Sequence, residues 1–232
     1  MLISFIVPAH DEEQLLPATL ASIDAAARTL GLAFEVIVVD DASTDRTAEI
    51  ARAHGAQVCS VSLRQISAVR NAGARVTAGG RLFFVDADTL VTPQVIDRAL
   101  RALDAGAVGG GAIVEFDRPV PLWARVVATV TIWVMRLTQF AAGCFVFCTR
   151  EAFEAAGGFD ETLFASEEIW FSRALKRQGR FVILDSVVTT SSRKAHMYSG
   201  LEVLRMTWPL FYRGLDALRD RRHLDLWYGK RR

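Results

Sequence analysis

Asp86-Ala87-Asp88 sets two carboxylates one residue apart at the end of the apolar run Leu82-Phe83-Phe84-Val85. That run is continuous and rich in aromatic and β-branched side chains, which predicts a short buried strand. Open α/β sheets bind ligands beyond the carboxyl ends of their strands, where these aspartates stand. Carboxylate oxygens are hard ligands suited to Mg²⁺ or Mn²⁺, ions often shared with substrate phosphates. Asp-x-Asp alone also describes an ordinary Asp-rich turn. Its meaning comes from the segments around it.

Two earlier segments share the design. Leu2-Ile3-Ser4-Phe5-Ile6-Val7 ends in Pro8-Ala9-His10-Asp11-Glu12-Glu13, and Phe34-Glu35-Val36-Ile37-Val38-Val39 ends in Asp40-Asp41-Ala42-Ser43-Thr44-Asp45. Leu16, Leu20, Ile23, Ala27 and Leu30 then recur at helical spacing. Ser43 or Thr44 is the expected cap of a helix from Asp45 to about His54. Strand, acidic loop and helix in repetition predict a parallel sheet with right-handed crossovers, and Asp40, Asp41, Asp86 and Asp88 along one of its edges. So many carboxylates on one edge repel, and a bound cation is the simple remedy.

Val7-Pro8-Ala9-His10-Asp11-Glu12-Glu13, Val39-Asp40-Asp41-Ala42-Ser43-Thr44-Asp45, Arg70-Asn71-Ala72-Gly73 and Asp86-Ala87-Asp88 resemble the successive signatures of family 2 glycosyltransferases with the GT-A fold. Gly157-Gly158-Phe159-Asp160-Glu161 and Ser166-Glu167-Glu168 are similar to the acceptor-side loop and the Glu-Asp motif of that family. The resemblance covers about Leu2 to Leu184. It implies an α/β fold whose Rossmann-like sheet is mostly parallel, a UDP- or GDP-sugar donor, Mg²⁺ or Mn²⁺, and an acceptor hydroxyl deprotonated by a carboxylate with inversion. Carried onto this chain, it puts Pro8, Ala9, Glu12, Asp40, Asp41, Arg70, Asp86, Ala87 and Asp88 around the nucleotide-sugar. Asp88 falls on the metal, with His196 as a further ligand, and Gly158, Phe159 and Asp160 on the acceptor side. Glu168 becomes the base, with Glu167 beside it. The family's usual Asp is Glu here, one methylene longer. Arg70 reads equally as a surface helix arginine.

Composition sets bounds. The 232 residues suffice for one sizeable domain, and 27 Lys+Arg against 26 Asp+Glu leave a net charge of +1, with no bulk attraction to nucleic acid. Cys59, Cys144 and Cys148 are too few and too scattered for a disulfide framework, and the last two sit in an apolar run that predicts inert buried thiols. Asp86-Ala87-Asp88-Thr89 also resembles the aspartyl-phosphate motif of haloacid-dehalogenase-like phosphatases. That motif follows a first strand and wants Thr or Val where Leu90 stands, so the hydrolase reading is weak. A non-catalytic nucleotide-binding or membrane-associated scaffold of the same fold is the other alternative.

The remaining elements follow from periodicity. Pro93 to Asp104 and Arg150 to Ala156 read as helices, Ala107 to Phe116 as a glycine-rich strand, and Cys144 to Cys148 and Phe181 to Leu184 as strands. Glu167 to about Gln178 is a helix stopped by Gly179. Residues 187–196 read as a flexible hydroxyl-rich segment, with Arg193 and Lys194 able to meet donor phosphates. Trp123 to Val134 keeps helical spacing and predicts a core-packed helix, a membrane-dipping one being the alternative. Leu201, Leu204, Trp208, Phe211, Leu215 and Leu218 predict an amphipathic C-terminal helix ending in basic residues. The expected organisation is a catalytic domain over 1–195, with 1–115 binding the nucleotide-sugar and 116–195 the acceptor, then a helical tail over 196–232. With no leader expected before Leu2, the expected location is the cytoplasm, with peripheral contact at the inner membrane face and a lipid-linked acceptor.

Overall fold

The computed structural model describes residues 1–203 and 205. Its elements run β1 Leu2–Ala9, α1 Leu16–Thr29, β2 Ala33–Asp41, α2 Thr47–Ala53, β3 Gln57–Val61, α3 Ile66–Val76, β4 Arg81–Val85, β5 Thr89–Leu90, α4 Pro93–Asp104, β6 Ala107–Phe116, α5 Leu122–Thr138, β7 Phe145–Thr149, α6 Arg150–Ala156, α7 Glu167–Gln178, β8 Arg180–Thr190 and α8 Arg193–Met197. One sheet holds all eight strands in the order β3-β2-β1-β4-β7-β6-β8-β5. β1–β2, β1–β4, β2–β3 and β6–β8 pair in parallel, whereas β4–β7, β6–β7 and β5–β8 are antiparallel. The sheet is therefore mixed, parallel across β3-β2-β1-β4 and reversed by β7 at its centre.

Alternation along the strands builds a core on each face. Ile3, Phe5, Val7, Phe83 and Val85 pack with α1 and α4, while Ile6, Leu82 and Phe84 pack with residues of α3, α6 and α7. Both faces being covered, the strands read as unbroken apolar runs. β1 lies between β2 and β4, so the chain winds outward on one side of β1 and then crosses to the other. The crevice beyond such a reversal is where doubly wound sheets hold ligands. The ends of β1 and β4, with Ala9 and Asp86, flank it.

Several expectations need correction. The start of α2 is not capped by Ser43 or Thr44; Asp45 accepts from the Thr47 amide and hydroxyl, and Ser43 and Thr44 bond to the preceding loop instead. Residues 187–190 are not a flexible segment, because β8 continues to Thr190 and pairs with both β6 and β5. α5 is not core-packed: only Ala124 and Met135 on it are buried. Leu204, Trp208, Phe211, Leu215 and Leu218 of the expected tail helix lie outside the described residues.

The glycine run in β6 does what its composition predicts. A Cβ on Gly110 would lie 2.2 Å from the Val182 carbonyl oxygen of β8 and 2.6 Å from the Phe147 ring, and one on Gly109 would lie 2.7 Å from the Phe147 carbonyl. Backbone cannot yield as a flexible side chain can. Gly110→Ala is expected to cost about 3 kcal/mol of stability by overpacking, to be read from the midpoint of urea unfolding.

Candidate active site

The loops after β1 and β2 are laced together by their own polar groups. The amides of Asp11, Glu12 and Glu13 donate to Ser43, Thr47 and Asp45, while Asp11 accepts from the Thr44 amide at 2.6 Å. Asp40 and Asp41 end β2 and are buried. Asp41 accepts from the amides of Leu63 and Arg64 at 2.7 and 3.1 Å, and Asp40 accepts from Ser43 at 3.3 Å. Backbone amides thus hold these two carboxylates, where repulsion had suggested a cation. Asp11, Ala42 and Arg64, following β1, β2 and β3, all take positive φ. Such strain gathers where a backbone is held for a purpose.

Asp86 continues β4, its amide donating to the Cys144 carbonyl. The Ala87 carbonyl accepts from the Thr19 hydroxyl of α1 at 2.8 Å, which fixes the middle of the motif. Asp88 receives the Thr190 hydroxyl at 3.4 Å, and its carbonyl accepts from the Ser191 amide. The end of β8 is therefore what sits beside Asp88.

Arg70 is the centre of the second cluster. Every residue of α3 from Ser67 to Ala74 is buried, and Arg70 is 2 % exposed, so it is not a surface helix arginine. Its Nη1 donates to Glu167 at 2.5 Å, and its Nη2 donates to Asp86 at 2.9 Å and to the Gly143 carbonyl at 2.7 Å. Its face lies 5.3 Å from the Phe159 ring centroid. Two carboxylates raise the guanidinium pKa further despite the burial that opposes its charge. Burial pushes the Glu168 carboxyl up to about 8, reinforced by the neighbouring Glu167 and Asp86, although Arg70 pulls the other way. Glu167 is buried in its ion pair, whereas Glu168 is only half-buried. Of the two glutamates, Glu168 has the environment of a proton-exchanging group.

The loop at Gly158 is tied to the same helix. Asn71 donates to the Phe159 carbonyl and to Glu161 and accepts from the Phe159 amide, all within 2.9 Å. Gly158 has φ +75, and a Cβ there would meet Asn71 Oδ1 at 2.7 Å. Phe159 is core: it stacks on Phe171 at 4.1 Å and sets its edge to Phe84 at 5.0 Å. Asp160 is exposed and accepts from Thr162 within its own turn.

The remaining predicted residues are placed as follows. Pro8 and Ala9 are buried at the end of β1, beside Val39 and Asp40 of β2. Glu12 is buried and accepts from Arg193 at 2.9 and 3.1 Å, so Arg193 turns to this carboxylate. His196 is exposed on α8, and among the described residues no three His, Cys, Asp or Glu side chains converge as a ready-made metal cage. Burial raises the pKa of both Cys144 and Cys148, which keeps them inert thiols.

Comparison with known proteins agrees with this geometry. Residues 4–156 match the model of glycosyl transferase family 2. The chain belongs to that family. An undecaprenyl-phosphate 4-deoxy-4-formamido-L-arabinose transferase of Pseudomonas paraeruginosa is 34% identical over 148 residues, 60% of this chain and 41% of the relative. One of the same name from Klebsiella pneumoniae is 35% identical over 112 residues, 45% of this chain and 34% of the relative. The chain thus spans about two fifths or less of these relatives' length. Among solved structures, the mannosyltransferase PcManGT of Pyrobaculum calidifontis, in complex with GDP-Man and Mn²⁺, has a TM-score of 0.69 at 20% identity, covering 94% of this chain and 64% of that one. TarS 1-349 of S. aureus has a TM-score of 0.65 at 20% identity, covering 84% and 62%. These are GT-A folds, and this chain shares the fold.

Thr19, Asn71, Gly143 and Thr190 hold predicted residues in place, and sequence reasoning assigned none of them a role at the site. Asn71 gave a signal, a polar residue within the small-residue run of α3; Gly143 gave none. Arg70→Met would leave Glu167 buried without its partner. It is expected to lower stability by about 3–5 kcal/mol, measured by chemical unfolding, while the same substitution at the exposed Arg101 stays close to the parent.

Proposed function

We propose that this chain transfers a sugar from a nucleotide-diphospho-sugar to an acceptor, with Glu168 as general base toward an acceptor hydroxyl and inversion at the anomeric carbon. One observation carries the reading: Asp86, Arg70, Glu167 and Glu168 are gathered at the carboxyl end of β4, beside the β1–β4 crevice. UDP- or GDP-sugars are the proposed donors, in keeping with the GDP-Man complex of PcManGT and the UDP-GlcNAc complex of TarS. Ala9, Asp40 and Asp41 are assigned to the base and ribose side of the crevice. Arg70, being buried, acts through Asp86 and Glu167 as a positioning residue, and Gly158 and Asp160 border the acceptor.

Mg²⁺ or Mn²⁺ fits the donor set at Asp88, with His196 the second proposed ligand. A half-buried hard carboxylate is present, and Mg²⁺ usually takes only one or two carboxylates and completes its shell with substrate phosphate and water. When bound, the ion would neutralise charge on the departing nucleoside diphosphate. The protein's own part is to hold the motif still: Thr19 fixes Ala87, Thr190 meets Asp88, and Arg70 fixes Asp86.

A second acceptor class has its own support. The curated relatives are named for undecaprenyl phosphate, a lipid phosphate that needs no base to become a nucleophile. A Glu168 still protonated near neutrality would tolerate an anionic acceptor beside it. The cytoplasm, with peripheral contact at the inner membrane face, is the location that matches such an acceptor.

Two measurements test these readings. UDP- and GDP-sugars should raise the melting temperature of the intact protein in the presence of Mn²⁺, and Asp88→Ala should lose the Mn²⁺-dependent part while remaining folded; no shift with any donor would reject the transferase reading. The pH profile separates the acceptors. A base must be deprotonated, so kcat/KM for a hydroxyl acceptor should climb with pH and level off above about 8. Glu168→Gln should then lose about 10²–10⁴-fold in turnover with donor affinity within a few-fold. A profile that falls through the same range, with Glu168→Gln still active, assigns the phosphate acceptor.

A further inference from the structure

α5 turns an apolar stripe to the outside. Leu122, Val126, Val130, Trp133 and Leu137 are all exposed, Leu122 at 74% and Trp133 at 66%, with Val127 beside them. At about 100° per residue these five share one face, while the buried Ala124 and Met135 lie on the opposite side. Arg125 and Arg136 run along one flank of the stripe and are exposed. From Arg118 to Arg150 the chain carries four arginines and no carboxylate, although its overall charge is only +1. A wide apolar face bordered by cations alone is the surface that an anionic lipid headgroup layer matches.

We propose that α5 is a docking surface for an anionic bilayer, lying in the headgroup plane with its stripe inserted and Arg125 and Arg136 on lipid phosphates. Its 17 residues span about 26 Å, short of the hydrocarbon thickness of about 30 Å. Among the described residues no helix is long and apolar enough to cross a membrane, so α5 rests on the surface.

The helix is wired to the active site. Lys176 of α7 donates to the Thr138 carbonyl at its end. The Phe140 ring lies under both Arg173 and Lys176 of α7, at 5.3 and 4.5 Å. Gly143 then delivers its carbonyl to Arg70. A bilayer under α5 is therefore held in fixed relation to the helix that begins with Glu167 and Glu168. Docking stands on α5 alone; the step from docking to a lipid-borne acceptor rests on the lipid-phosphate reading above.

Flotation of the intact chain with vesicles of phosphatidylcholine, with and without phosphatidylglycerol, tests the proposal. Binding should require the anionic lipid and weaken as salt rises from about 0.05 to about 0.5 M. Val130→Glu, a substitution at an exposed position, should cut it about tenfold or more, and Arg125→Gln with Arg136→Gln should remove the anionic preference. Absence of flotation by the parent overturns the proposal, as does undiminished flotation of Val130→Glu. A concentration-dependent dimer that Val130→Glu dissolves, without vesicle binding, would make the stripe an interface between copies and overturn it too. The donor-induced rise in melting temperature, measured on the same Val130→Glu protein, keeps the readings apart: its persistence alongside failed docking leaves the transferase assignment standing.

Discussion

The arrangement rests on one buried cation placed between carboxylates. Arg70 gives up its hydration inside α3, a cost of several kcal/mol for an isolated ion. It recovers this through Glu167, Asp86 and the Gly143 carbonyl, on three separate parts of the chain. One guanidinium balances one carboxylate and is shared by two. A third charge at Glu168 gives the cluster an excess of two negatives. Burial is the first cause of the raised Glu168 pKa, and the charges of Glu167 and Asp86 add to it while Arg70 opposes it. A carboxyl that titrates well above its ordinary range is thus a product of burial and of the neighbouring carboxylates, more than of Glu168 itself.

The position of Arg70 depends in turn on how closely α3 sits on the sheet. A Cβ on Gly73 would lie 2.4 Å from Ile6 Cγ2 and 2.7 Å from Val39 Cγ2, so only glycine lets the helix approach β1 and β2 this closely. That approach carries Arg70 to the end of β4, and it turns the adjacent Asn71 toward the loop at Gly158. Ser67 and Gln65, one turn earlier, donate to carbonyls of the same loop. Strand ends, glutamate helix and the loop at Gly158 are therefore registered against a single helix about three turns long.

The strands and most helices were legible because the signals that specify them are local. α4, β6, α6 and α7 begin and end where periodicity and the Gly179 stop put them, and the structure adds Thr92 and Thr149 as caps of α4 and α6. Asp86-Ala87-Asp88 was legible because its strand is. What failed to show depends on partners distant in sequence. β8 runs on to Thr190 because β5 and β6 are there to pair with it, and no property of Val187-Val188-Thr189-Thr190 announces those neighbours. α5 has the same periodicity as a core helix, and spacing cannot tell whether an apolar face meets protein. Arg70 reads from sequence either as lining the nucleotide or as a surface arginine, and the burial of α3 from Ser67 to Ala74 excludes the surface.

The acidic edge illustrates how a sequence-level conflict is settled by geometry. Four aspartates at the ends of β2 and β4 suggested repulsion awaiting a cation, yet each has a different partner. Asp41 is held by two amides of the loop after β3, Asp40 by the Ser43 amide, Asp86 by Arg70, and Asp88 by Thr190. The amide bonds require turned backbone, and Ala42 and Arg64 take positive φ to supply it. The edge is consequently preorganised before a ligand arrives.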